Sequence, residues 1–255
     1  DILNLVVETP NRNLYVDCPP VTRQDKHLFR YFLDGSARTF YLGNVVEGER
    51  QTPIHVSQIG AAAVLRDDAG RMKVARAETK FVLLLDRDQL ACGPAIEAAV
   101  NAKDWPEGKD YLGVVKSSYK ELKFSVKSGR APQTINTYQL LAGLKAGQRT
   151  LAFGLRDGLI ATWYVRIRGP EHLDFPLMGV LRVELPNPDR EAVPSELIDE
   201  LSGALVAERC VSPHGKDVRW HSHLYAIFLA EQAIKNNFVS TEVLKAGMKW
   251  PTRSR

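Results

Sequence analysis

The apolar positions of this chain fall into short runs closed by glycine, proline, asparagine or aspartate, with a few longer stretches spaced for helices. Residues 2–7 predict a strand, and 9–20, rich in proline and asparagine, predict a surface loop. Residues 29–34 are an aromatic and aliphatic run that stops on Asp34; 38–45 read as its returning partner and 46–50 as a polar turn. Residues 54–65 predict a long strand whose small residues, Gly60, Ala61, Ala62 and Ala63, let something pack closely. Asp67-Asp68-Ala69-Gly70 turns it into 72–75. The next run, 81–86, is more apolar than a half-solvated strand requires and again ends on an acid, Asp86.

Further along, Pro94 suits the first turn of a helix over 93–100, and 111–116 reads as a strand that leads into Ser117-Ser118-Tyr119-Lys120. Helical spacing covers 134–144, 193–207 and about 222–236. In the last of these Leu224, Ile227, Phe228 and Ala230 face inward, and Glu231, one turn beyond Ile227, reaches the same side. Residues 150–155 and 159–168 form a strand pair joined by Arg156-Asp157-Gly158, a hairpin signal, and 179–185 is another strand. The sum is an α/β chain: a mixed sheet of three antiparallel strands and then parallel ones, flanked by helices. It divides into a lead-in arm (1–28), a main domain (29–246) and a basic tail (247–255).

Composition changes this picture little. With 255 residues, 44% hydrophobic and 25% charged, the chain has the make-up of a globular protein with a substantial core. No apolar run approaches a membrane span and nothing resembles a secretion signal, so a cytoplasmic location with no membrane partner is expected. Cys18, Cys92 and Cys210 are too scattered for a disulfide framework or a zinc site. The net charge of +4 permits contact with a polyanion. The numbering opens on Asp1 rather than methionine, and an internal segment is expected to be absent from it near residue 80.

The candidate chemistry starts from the two acids. Asp34-Gly35-Ser36 alone is ordinary turn chemistry, but a second apolar strand ending in acid shifts the balance toward a site. If the first and fourth strands lie side by side, Asp34 and Asp86 meet at one edge, and their repulsion requires a cation. Carboxylate oxygens suit magnesium or manganese; His223, close to Glu231, would tilt the choice to manganese. Such a site hydrolyses phosphodiesters. Lys116, Lys120, Lys123, Lys127 and Arg130, with Tyr119 and Phe124 interleaved, suit a solvated face or a single-strand groove. Arg38 is a candidate phosphate contact.

Taken together, Asp34-Gly35-Ser36, Leu84-Leu85-Asp86-Arg87-Asp88-Gln89-Leu90, Gly113-Val114-Val115-Lys116-Ser117, Trp163-Tyr164-Val165-Arg166, Arg182-Val183-Glu184-Leu185-Pro186 and 224–231 resemble the NurA nucleases in order and character. The resemblance implies an RNase H-like fold related to the PIWI module, and a homodimer that encircles DNA. It also implies a partner, the hexameric HerA ATPase, and manganese-dependent DNA degradation in end resection or phage defence. Carried over, Asp34 matches the acid after the first strand, Asp86 the acid after the fourth, and Tyr119 an active-site tyrosine; Glu231 or His223 completes the metal set.

Two departures stand out. Asp86 is followed by Arg87-Asp88-Gln89-Leu90 where the family has Gly-Ser-Leu. The glutamate-bearing helix expected before Phe81 is reduced to 75–80, leaving Glu78, Asp67 or Asp68 as substitutes. These departures favour the alternative, a NurA-like scaffold that binds DNA or the ATPase without cleaving.

Overall fold

The structure is a computed structural model that describes residues 3–10, 12–21, 27–47, 49–84, 113–115, 122–128, 131–169, 178–212, 223–240 and 242–243. In chain order its strands begin with β1 (Leu3–Asn4), β2 (Glu8–Thr9), β3 (Tyr15–Asp17), β4 (Tyr31–Glu47), β5 (Arg50–Arg66), β6 (Met72–Leu84) and β7 (Gly113–Val115). There follow β8 (Lys123–Ser128), β9 (Ala131–Asn136), β10 (Gln148–Thr150), β11 (Phe153–Leu155), β12 (Ile160–Arg166), β13 (Val180–Pro186) and β14 (Val193–Pro194). The helices are α1 (Thr137–Ala142), α2 (Ser195–Ala207) and α3 (Tyr225–Asn236). The chain separates into two compact units, Asp1–Phe29 with Gly108–Tyr225, and Arg30–Glu107 with Ala226–Arg255.

The first unit is built on a sheet ordered β3-β10-β12-β13-β7, with β11 also paired to β12; every one of these pairings is antiparallel. Its central strand β12 is buried on both faces, one carrying Ala161, Trp163 and Val165 and the other Thr162, Tyr164 and Arg166. On one side Trp163 donates from its indole nitrogen to Ser202 of α2 at 2.9 Å. On the other, Tyr164 meets Phe124 edge-on, and Phe124 packs on Phe153, in a cluster that includes Leu140 and Leu141 of α1. Asn136 starts α1 with a capping box, its side chain accepting from the Gln139 backbone while Gln139 accepts in return. That cap explains why the helix begins later than the spacing over 134–144 predicts: the residues before it are held as β9 against β8.

The second unit is an antiparallel meander, β4-β5-β6, with α3 against one face. Along β5 alternate side chains are buried, Val56, Gln58, Gly60, Ala62, Val64 and Arg66, so the covered face is the one carrying even-numbered residues of β4 and β5. The turn into β6 uses Gly70 at φ +77°, where only a residue without Cβ sits without strain.

This architecture overturns the expected α/β fold with an RNase H-like mixed sheet flanked by helices. The run 81–84 does not begin a new strand. It continues β6, because Arg76, Glu78 and Lys80 alternate with Ala77, Thr79 and Phe81 in one unbroken extended segment paired to β5. For the same reason no helix fits at 75–80. The expected parallel strand 111–116 supplies β7, which belongs to the first unit and pairs there antiparallel with β13. Among the described residues the parallel pairings are the two-residue contacts β1 with β8 and β14 with β2. Asp34 is neither at a strand end nor in a hairpin turn: β4 runs through Asp34-Gly35-Ser36 to Glu47, and the reversal falls between Glu47 and Arg50.

Candidate functional site

Asp34 stands in the middle of β4, directly across from Ala62, which in turn faces Ala77 of β6. Cross-strand partners share a face, so Asp34 points to the side on which α3 packs. The helix is seated by Gly60: a Cβ there would run into Ile234, and would lie 3.0 Å from the Phe238 ring and 3.2 Å from Thr79. Gln58, one row away, exchanges two hydrogen bonds with the Val239 backbone, donating to its carbonyl and accepting from its N–H, each at 2.8 Å. The chain therefore passes from the Gln58 row at Val239 to the Gly60 row at Ile234. Glu231 lies one helical turn before Ile234 on the same helix. The sequence placed Glu231 on the inner side of its helix, and it is 8% exposed there, held by Lys235 at 2.8 Å.

Arg38 lies on the same face of β4, two rows from Asp34, with its guanidinium 5.6 Å from the Phe238 ring centroid. Asp34 and Arg38 thus share one face of this sheet, and Glu231 stands on the helix that packs there, one turn before the Ile234 contact. Magnesium and manganese take such hard oxygen donors, which fits Asp34 and Glu231 as two ligands. Among the described residues no three histidine, cysteine, aspartate or glutamate side chains come together.

The other candidates are distributed differently. Asp86, Lys116, Tyr119, Lys120 and Arg130 lie outside the described residues. The approach to Asp86 is described, however: Leu84 faces His55, which faces Tyr41, so β6 ends beside that part of β4 and not beside Asp34. Seven strand residues separate those levels, about 23 Å. β5 also lies between β4 and β6, so the expected first and fourth strands are not neighbours. His223 is buried in the first unit, where its carbonyl accepts from the Cys210 N–H at 3.0 Å. Lys123, exposed on β8, also belongs to that unit.

The substitute acids do not join Asp34 either. Glu78 projects from the opposite face of the sheet and pairs with Arg76. Asp67 closes its turn, accepting from the Ala69 and Arg71 N–H groups and from the Arg71 side chain, and these bonds hold its carboxyl below the usual range. Asp68 pairs with Arg30.

One charged cluster went unnoticed in the sequence. Arg149, fully buried on β10, is gripped by both Glu8 oxygens at 2.7 and 2.9 Å and by Asp199 of α2 at 2.6 Å. Glu8 further accepts from Ser195 and from the Ala152 N–H. No signal announced it, because partners that bond directly, such as Glu8 and Ser195, lie 187 positions apart. Every oxygen of Glu8 is engaged, so this cluster clamps β2, β10 and α2 together and presents no reacting group.

Among the described residues no helix is long and apolar enough to cross a membrane. Compared with known proteins, the chain matches no family model, and no curated protein aligns with it significantly.

Proposed function

We propose that the chain is a metal-dependent DNA nuclease whose site is built on the covered face of the β4-β5-β6 sheet. The observation that supports this reading is Asp34 on the sheet face that α3 covers, with Glu231 carried by that helix one turn before Ile234, the residue seated at Gly60. Asp34 and Glu231 would hold magnesium or manganese, and such an ion supplies polarisation of a phosphate oxygen and activation of water. The protein's own part is positional. Lys235 fixes the Glu231 carboxylate, β5 fixes the height of Asp34, and Arg38 offers a guanidinium to a phosphate two rows away. The resemblance to the NurA nucleases supplies the substrate class, DNA, and the proposed companions, a hexameric translocating ATPase and a second copy of the chain. The test is cleavage of end-labelled DNA in manganese, with and without such an ATPase: Asp34→Asn should lower the rate at least 100-fold with unchanged melting temperature. Full activity in that variant would remove the proposal.

One observation favours a second reading, a nucleic-acid-binding subunit that does not cut. The last described residue of β6, Leu84, is level with Tyr41, seven residues along β4 from Asp34. On that reading the wild-type chain binds DNA but leaves it intact under every metal.

A further inference from the structure

The face of the β4-β5-β6 sheet turned away from α3 is composed in a way that packing does not require. Its rows, read across the three strands, begin with Tyr31, Leu65 and Lys73, then Leu33, Ala63 and Arg76, and then Gly35, Ala61 and Glu78. They continue with Ala37, Ile59 and Lys80 and end on Tyr41, His55 and Leu84, beyond the Thr39, Ser57 and Val82 row. Tyr31 is 70% exposed, Leu33 71% and Tyr41 53%. An antiparallel sheet with one solvated face ordinarily alternates apolar-in with polar-out; here the outward side sets small residues, Gly35, Ala37, Ala61 and Ala63, and exposed Leu33 and Ile59 between two open tyrosines.

The β6 side of that floor is cationic. Lys73, Arg76 and Lys80 all project to it against a single acid, Glu78, which Arg76 holds; Lys73 and Lys80 form no ion pair among the described residues. We propose that this face is a docking surface for single-stranded nucleic acid. Charge complementarity selects a polyanion, and the exposed tyrosines select one with free planar faces to stack. A duplex keeps its bases stacked inside and would leave the tyrosines and Leu33 unused. A neutral protein partner would have to bury three cations. Lys73 and Arg76 occupy adjacent rows, about 6.8 Å apart, close to the spacing of successive phosphates in an extended strand, and Lys80 lies two rows beyond Arg76, past Glu78.

This surface lies on the side of the sheet opposite Asp34 and does not rest on the hydrolytic reading, so binding is measured in EDTA, where metal-dependent cleavage cannot intervene. The probe is a fluorescein-labelled oligothymidylate of about 16 nucleotides, titrated with the full chain and followed by anisotropy. The wild type should bind it with an affinity that falls as salt rises. The triple variant Lys73→Glu, Arg76→Glu, Lys80→Glu should bind at least tenfold more weakly, and Tyr31→Ala roughly tenfold more weakly, while Tyr31→Phe stays near wild type; thermal melting confirms that each is folded. Unchanged binding by the folded triple variant, or no binding by the wild type, overturns the proposal. So does unaltered binding by Leu33→Asp combined with a lower sedimentation coefficient, which would mark the face as a contact between copies of the chain.

Discussion

Glu8 carries as much of the first unit as any apolar side chain, because it is the anion that makes a fully buried Arg149 tolerable. Removing one member of a buried pair strands the other, a loss of about 3–5 kcal/mol. Glu8→Ala should therefore lower the urea midpoint by that amount, whereas Glu196→Ala, whose carboxylate pairs with Arg12 at the surface, should change it by less than about 1 kcal/mol. Cys18 is the opposite kind of residue. Burial pushes its thiol up to about 12, and the thiol donates to the Gly147 carbonyl at 3.2 Å. Because the folded value lies above the unfolded one of about 8.5, the neutral thiol contributes stability in full below that pH and loses the contribution as pH climbs toward 12. Native protein treated with iodoacetamide at pH 8 should show no adduct on Cys18 by peptide mass spectrometry until denaturant is added. Neither residue advertised its role: an acid in a proline-rich lead-in and a lone cysteine look the same in sequence whether buried or exposed.

At the level of elements, the joint between α3 and the meander is the most informative. Gly60 leaves no room for a side chain against Ile234, and Gly60→Val should unseat the helix, reducing stability by about 1–3 kcal/mol through overpacking. The double variant Gly60→Val, Ile234→Ala should recover part of the loss in the same melting experiment, since the two sites share one contact. The sequence announced much of this joint. The small residues at 60–63 signalled close approach, and the apolar spacing of the last helix allowed Glu231 to be either inward or exposed; it is 8% exposed. What it concealed was strand length. A run of Phe-Leu-Asp-Gly-Ser reads as an ending, because aspartate and glycine are usual at turns. Gly35 and Asp34 instead continue β4, since each has a partner on β5 and the alternation of faces holds on both sides of them. The same oversight divided β6 into two strands and generated a missing helix between them. Propensity at a single dipeptide was outweighed by pairing along the whole strand.

For the whole molecule, the consequence is that sheet type, and with it the RNase H-like expectation, could not be taken from motif order. Strand partners are chosen by contacts far apart in sequence: β13 reaches back to β7, and α3 returns to a sheet completed at residue 84. The proposal of Asp34 with Glu231 needs only β4, β5 and α3; the expectation that the first and fourth strands are neighbours is overturned, since β5 separates β4 from β6, and Asp86 itself lies outside the described residues. Calorimetric titration of the full chain with manganese chloride addresses the proposed pair directly, without needing a companion ATPase or a chosen DNA. The account predicts saturable uptake by the wild type that Asp34→Asn and Glu231→Gln each weaken at least tenfold while both remain folded. Absence of uptake by the wild type, or wild-type uptake by the two variants, would contradict it.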